Sequence, residues 1–538
     1  MENKNTLIAL TLMLVVWIAF SFIFPSRTPV PENNPSVVEK SSGDEKVQTP
    51  SAAESVVDQP VSQISPVAAT VIDEVREITV ENDFFTAVFS SSGASLKSFV
   101  LKQFKQTKEA DSGLVSLVSA GPERTTTLRL EGTENFRVSG QNNYTVDIPG
   151  ASLTLAPGES RSLTFSFTDV NGLELKKIFT FNGDGYDFSL QVNARNRGLQ
   201  VLRGNLVLNL VEPWDDSRKG GSGSFTGPVS LVGDKIKTED VDDLAKEAKI
   251  YGSDLIFSGF ETTYFLSALI PQGDAVEKVQ IAKRGDVLEN QFNTPYTSLN
   301  PGDEVNFGFL AYYGPRDIDI LNTVDPRLSQ AVDFGFFGLI ARPLTQVLKF
   351  FYTYVGNYGV AIILLTVIIK LLFWPLTQKS YQSMKSMQKL QPEMAKIREK
   401  FKNDKERLNR EIMTLYKEKK VNPLGGCLPM VIQIPVFFAL YKVLLHNIDL
   451  RHAPFFLWIT DLSVKDPFYI TPLIMGATMF IQQKMTPTSM DPKQAKLFML
   501  MPVVFTFMFL NFPAGLVLYW LVNNLLTILQ QYRINRPA

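Results

Sequence analysis

Two kinds of apolar spacing occupy different parts of this 538-residue chain, and no single globular core satisfies both. Residues 7–24 and most of residues 356–530 carry near-continuous apolar runs, whereas residues 77–325 place apolar side chains at alternate positions. A run of about 20 apolar residues is long enough to cross a bilayer core. Alternation is the spacing of a strand with one buried face. The chain therefore reads as an integral membrane protein with one large water-exposed domain. Whole-chain averages conceal this, because 45% hydrophobic and 20% charged residues are ordinary for a soluble protein.

The segments follow in order. LIALTLMLVVWIAFSFIF follows Lys4 and is not followed by a small-x-small cleavage site, so residues 1–25 read as an uncleaved signal anchor with a cytoplasmic N-terminus. Residues 26–70 are rich in Pro, Ser, Val and Glu and nearly free of aromatics, the composition of a disordered linker. Residues 71–326 hold the alternating segments, among them ITVENDFFTAVFSSSG and LKKIFTFNGDGYDFSLQVNARN, and predict a large antiparallel β-sandwich. A short helix is expected at residues 239–249, and an exposed turn at Asp215, Asp216 and residues 220–223. In residues 327–355, Phe334, Phe337, Ile340, Leu344, Leu348 and Phe351 recur at three- and four-residue steps beside Arg342, Pro343 and Lys349, which predicts an amphipathic helix in the membrane interface.

Residues 356–532 form the membrane core, with five spans at 357–376, 425–445, 468–483, 497–510 and 516–530, followed by a tail at 533–538. With the anchor this makes six. Residues 377–424 carry about 13 Lys or Arg against about two in 446–466, so the first of these loops is cytoplasmic. Both termini are then cytoplasmic and the β-domain lies on the far side. The expected fold class is a multi-domain membrane protein: a six-span α-helical polytopic core plus an all-β sandwich domain.

Little in the chain points to covalent chemistry. Net charge is −1, and there is no nucleophile elbow, phosphate-cradling glycine loop or metal-ligand spacing. Cys427 is the only cysteine, and His446 and His452 flank a loop with no carboxylate-rich motif. No enzyme, cofactor or metal is expected. The informative residue is Lys370, inside a span, where a cation costs about 2.5–3.5 kcal/mol at the bilayer centre. It lies about six residues, or roughly 9 Å, from the cytoplasmic end. Its stem can snorkel to the headgroups, or it can line a wet cavity with Thr366, Gln433, Asn523, Asn524 and Thr527. No Asp or Glu lies deep in the spans, which argues against a proton- or sodium-coupled transporter.

Residues 377–421 read as a helical hairpin with a basic outer face that includes Arg398 and Arg407. Met384, Met387, Leu390, Met394, Ile397 and Phe401 form one apolar stripe, and Leu408, Ile412, Leu415 and Tyr416 another. Asn403 with Glu406 resembles a capping box opening the second helix. The methionines suit either an adaptable guest surface or a hairpin packed on itself.

GNYGVAIILLTVIIKLLFWPLTQKS from Gly356, VNPLGGCLP from Val421 and FPAGLVLYW from Phe512 resemble the core of the YidC/Oxa/Alb family over about 190 residues, and the β-domain resembles the periplasmic domain of its Gram-negative members. The resemblance implies a membrane insertase and chaperone of the bacterial inner membrane. It would work through a hydrophilic groove open to cytoplasm and lipid and closed to the periplasm. The family's groove arginine falls on Lys370, its threonine on Thr366, its polar third-span residue on Gln433 and its sixth-span aromatic on Tyr519 or Trp520. Its apolar guest-contacting faces fall on Ile434, Pro435, Phe437, Met508 and Phe509. Implied partners are nascent membrane proteins, the ribosome, the Sec translocon (SecYEG with SecDF), the signal recognition particle with its receptor, and the lipid bilayer.

Overall fold

The computed structural model describes residues 74–119, 125–218, 225–419, 421, 428–486 and 499–535. The signal anchor, the linker, residues 220–223, Cys427 with most of VNPLGGCLP, and the end of the tail lie outside the described residues.

Between Glu77 and Pro315 the alternating segments are strands. Leu173–Asn182 and Asp187–Asn196 bury every second side chain with almost no interruption. They pair as an antiparallel hairpin inside a nine-stranded sheet. Its order runs Lys235–Thr238, Gly227–Val232, Leu255–Glu261, Phe265–Gln272, Glu304–Pro315, Asp187–Asn196, Leu173–Asn182, Ser160–Thr168 and Thr145–Val146. Two five-stranded sheets cover its inner face. Phe89 and Phe99 of one interleave with Phe179, Phe181, Phe188 and Tyr313. Phe292 of the other meets Phe309 edge-on, and Asn290 donates to Ser258 Oγ across the gap at 2.8 Å. Burying each phenylalanine contributes roughly 1.5–3 kcal/mol.

The sandwich departs from a purely antiparallel one in a single place among the described residues. Glu77–Glu81 pairs in parallel with Ser152–Thr154. Helix α1 (Val241–Leu244) falls within the expected interruption, capped by the Asp240 side chain on the Asp242 N–H. Asp216 begins a short 3-10 turn, Asp216–Arg218.

An unanticipated cation is buried in this core. Lys177 takes an inward position between Leu175 and Phe179 and is fully buried. Its ammonium donates to the carbonyls of Gly93 (3.2 Å), Ala94 (2.5 Å) and Leu128 (2.5 Å). Gly93, Ala94 and Leu128 all have positive φ, which two of them, having side chains, adopt at a cost.

After α2 (Ile318–Val324), the segment expected as one amphipathic helix from residue 328 divides. Two 3-10 turns, Leu328–Ala331 and Gly335–Phe337, precede α3 (Gly338–Val355). Gly335, at φ +58°, breaks the helical run. The predicted stripe also faces inward. Phe334, Phe337 and Leu348 are buried, and α3 packs on the next helix and on the later helix at Leu428–His446. The outward face carries a second apolar set, Leu339, Phe350 and Tyr354, at 89%, 56% and 75% exposure.

The remaining helices are α4 (Tyr358–Lys389), α5 (Gln391–Lys400), α6 (Lys405–Glu418), α7 (Leu428–His446), α8 (Ile470–Met485), α9 (Met501–Phe509) and α10 (Ala514–Asn535). Among the described residues, α4 alone is long and apolar enough to cross a membrane by length and composition. At its start the ring of Phe455 lies against Gly359, where a Cβ would stand 2.0 Å from Phe455 Cδ2. Gly359→Ala should lower the stability of the full chain in detergent by about 1–3 kcal/mol, the usual cost of overpacking. An unchanged thermal midpoint would show that the ring moves aside freely.

Candidate functional site

The buried face of α4 runs through Ile362, Leu365, Thr366, Ile369, Lys370 and Thr377, at three- and four-residue steps. Ile368, Leu371 and Leu372, on the opposite side, are exposed. Lys370 thus sits on the packed face, 7% exposed. Its ammonium donates to Thr527 Oγ1 on α10 at 2.6 Å. A snorkelling lysine would extend along the outer face toward the headgroups; this one points at another helix.

Helix α10 supplies the polar partners, and it packs against both α4 and α8. Toward α4, Gln530 Nε2 donates to Thr377 Oγ1 at 2.9 Å, one turn from the Lys370–Thr527 contact. Toward α8, Asn524 Nδ2 lies 3.4 Å from Thr478 Oγ1, and Gln531 Nε2 donates to Thr486 Oγ1 at 3.0 Å. Nearer the other end, Gln433 Nε2 on α7 donates to Tyr519 Oη at 2.6 Å. Tyr519, Asn523 and Thr527 are spaced four apart, so they share one side of α10. Asn523 is half-buried, and its carbonyl accepts from Thr527 Oγ1. Thr366 is buried and donates to Ile362 O of its own helix.

The structure brings Lys370 to Thr527 and Gln433 to Tyr519, and leaves Thr366 bonded locally. Sequence reading missed Thr377, Thr478, Thr486, Gln530 and Gln531. Their signal was present on α10, where Asn524, Thr527 and Gln531 continue the polar spacing by one more turn.

The predicted apolar faces separate into two groups. Phe437, Phe509 and Trp520 form one cluster, with Trp520 4.8 Å from Phe437 and 5.2 Å from Phe509 between ring centroids. Phe509 is fully buried there, packed against Phe512 and Trp520 at 5.0 and 5.2 Å between ring centroids, and presents no ring to the surface. Phe437 and Pro435 are half-buried, while Ile434 and Met508 are 40% and 43% exposed. Tyr519 thus lies on the polar side of α10 and Trp520 among the aromatics.

The hairpin is continuous with the span, since α4 runs on to Lys389 before breaking at Leu390. Met387 and Met394 are buried, and Tyr416 Oη contacts Met394 Sδ at 3.3 Å, so these methionines pack within the hairpin. Met384 and Arg398 are half-buried. Asp404, not Asn403, caps α6, accepting from the Arg407 N–H at 3.0 Å, and the Arg407 guanidinium lies over the Phe401 ring. Aspartate at that position also meets the positive end of the helix dipole.

Polar contacts fasten the β-domain to the helices. Lys349 on α3 donates to Asp317 (2.8 Å) and Asp319 (2.5 Å) and lies 3.9 Å from Asp449. Arg451 donates to the carbonyls of Lys105 and Gln106 at 2.7 and 2.9 Å. Arg316 and Glu261 form an ion pair at 3.2 Å, both 5% exposed. Burial pushes the Glu261 carboxyl up to about 7, although Arg316 beside it pulls the other way.

A β-sandwich joined by polar contacts to an apolar helical core with a buried cation is the frame of a membrane protein with a separate β-domain. The model of the 60Kd inner membrane protein family matches residues 350–538, and that of the YidC periplasmic domain matches residues 77–347. Relatives named membrane protein insertase YidC include one from Geotalea daltonii, 46% identical with 99% of each chain covered. Another, from Syntrophus aciditrophicus, is 44% identical with 100% of each covered. A solved structure, described as an active YidC insertase with the first transmembrane domain resolved, is 19% identical. It covers 86% of this chain and 94% of that chain at a TM-score of 0.37. The chain belongs to the YidC family of inner membrane proteins.

Proposed function

We propose that this chain is a membrane protein insertase that moves the hydrophobic segments of other proteins from the cytoplasm into the inner membrane. The observation that carries the mechanism is the Lys370 ammonium, buried on the packed face of α4 with a neutral hydroxyl as its partner. A cation held by a hydroxyl instead of a carboxylate keeps its field for an arriving polar or acidic group. A guest's short polar tail enters beside Lys370, Thr366, Gln433, Tyr519 and Asn523. Its apolar segment passes Ile434, Pro435, Phe437 and Met508, with Trp520 behind them, and leaves into lipid. Burial at roughly 25 cal/mol per Å² of apolar area drives the transfer. No nucleotide and no covalent step is used, so the chain is not an enzyme.

In this reading the chain has six spans, with both termini and the hairpin cytoplasmic. The domains are 1–25, 26–70, 71–326, 327–355, 356–532 and 533–538. The ribosome, the Sec translocon and the signal recognition particle with its receptor are its partners, and the basic hairpin is the surface that meets them.

The test is reconstitution of the purified chain alone in liposomes with a small single-span guest. Insertion without added nucleotide is expected, and a stably expressed deletion of most of residues 77–325 should retain it, because the polar contacts of Lys370 lie within the helices. Solute uptake without guest insertion would instead make the chain a transporter. Loss of all insertion in the deletion would make the β-domain part of the machine.

A further inference from the structure

We propose that the turn Phe455–Ile459, in the loop between α7 and α8, is a wedge that buries Phe456 and Leu457 among the lipids of the leaflet facing the β-domain. The turn closes on itself. The Phe455 N–H donates to the Ile459 carbonyl at 2.9 Å, and the Ile459 N–H to the Phe456 carbonyl at 3.1 Å. At its tip Phe456 is 58% exposed and Leu457 85%. Leu457 holds φ +55°, a left-handed conformation that glycine adopts freely and a residue with a Cβ adopts at a cost. In water that turn leaves a leucine side chain stranded; in lipid the same side chain is removed from water.

The helices give the depth. Residues 359–376 of α4 carry a single charge, Lys370, and at the helical rise they cover about 27 Å. The hydrocarbon core of a bilayer is roughly 30 Å thick, so Gly359 stands at its edge on the β-domain side. The Phe455 ring lies against Gly359, and the Phe456 ring is 4.7 Å from the Phe455 ring between centroids. A second tie runs to α8. Asp466 accepts from Trp458 Nε1 at 3.2 Å and from the Thr471 N–H, in the first turn of that helix, at 2.7 Å. The tip is thereby held level with the first turns of two helices, where headgroups meet acyl chains. An exposed side chain at that depth meets lipid, and a phenylalanine beside a leucine suits it.

The same loop reaches the β-domain. Arg451, four residues before the turn, donates to the carbonyls of Lys105 and Gln106, and its guanidinium lies 5.7 Å from the centre of the Phe265 ring. The wedge therefore sets the height of the β-domain above the bilayer through one short stretch of chain. This surface rests on α4 crossing the membrane. Guest insertion beside Lys370 does not enter it, so the two readings fail separately.

The experiment uses the full chain with Cys427→Ser, which removes the only cysteine, and adds Phe456→Cys, Leu457→Cys or Val170→Cys for an environment-sensitive fluorophore. All three positions are exposed, so labelling leaves the fold intact. Val170 is the apolar control: it adjoins Leu173, at the end of the Leu173–Asn182 strand remote from Phe265. The proteins are placed in nanodiscs of phosphatidylethanolamine and phosphatidylglycerol, with and without acyl chains brominated near the carbonyl end. Brominated lipid should quench the labels at 456 and 457 at least about threefold more than the label at 170, since interfacial apolar groups reach roughly 5–10 Å into the headgroup–acyl boundary. Iodide in the buffer should act in the reverse order. Equal responses at all three positions overturn the wedge. Labels at 456 and 457 that are shielded from brominated lipid and iodide alike overturn lipid as the occupant and assign the tip to a protein surface, such as a second copy of this chain.

Discussion

Lys370→Leu should slow the insertion of guests with acidic leading segments about tenfold, a difference of roughly 1.4 kcal/mol, while guests with neutral tails lose less. The variant removes a buried cation whose structural partner is one threonine hydroxyl, so the helices themselves should tolerate leucine or gain slightly. Lys370→Arg should keep most activity, because the charge is retained even though the guanidinium is planar and larger. The measurement is insertion of paired guests, neutral and acidic, by the three proteins at matched levels. Equal insertion of all guests by all three removes Lys370 from the mechanism and leaves the amides and hydroxyls to carry it.

The second large effect is on stability. Lys177→Met should destabilise the β-domain by about 3–5 kcal/mol, because methionine fills the volume but leaves the carbonyls of Gly93, Ala94 and Leu128 buried without a donor. Two of those residues, Ala94 and Leu128, also hold left-handed backbone that the ammonium helps to fix. Lys176→Met, on the outward side of the same strand, is the control and should change little, within about 0.5 kcal/mol. Thermal unfolding of the full chain in detergent, followed by the β-sheet circular dichroism signal, separates them. Equal midpoints for the two variants would show that the core closes over the missing ammonium without cost.

Lys177 also marks where sequence reading stops. Alternation through LELKKIFTF identifies a strand, but with two adjacent lysines it places one of them inside without saying that three carbonyls await it. Those carbonyls come from strand ends and turns 49 to 84 residues away, a contact that no local pattern encodes. Strand existence was legible for the same reason that strand order was not: burial of one face is a property of a segment, whereas neighbours are a property of the whole. The parallel pairing of Glu77–Glu81 with Ser152–Thr154 is a case in point.

In the helices, the position of Lys370 was legible as an anomaly, a cation set within an apolar run. Its partner was one of several polar residues named without a pairing. The burial of Phe509 was not legible, because an apolar residue in an apolar run gives no sign of which side it faces. The stripe on α3 was legible as periodic, but that its Phe334, Phe337 and Leu348 are buried was not, since both faces of that helix carry apolar groups and periodicity sees only the more regular one.

The contact between Lys370 and Thr527 spans 157 residues of chain. At a synthesis rate of about 5–20 residues per second, Lys370 leaves the ribosome on the order of ten to thirty seconds before its partner exists. During that interval α4 carries an unpaired ammonium into or beside the lipid, and the polar side chains that receive it arrive together on α10. A newly made copy is therefore itself a difficult cargo, a charged span in need of shelter.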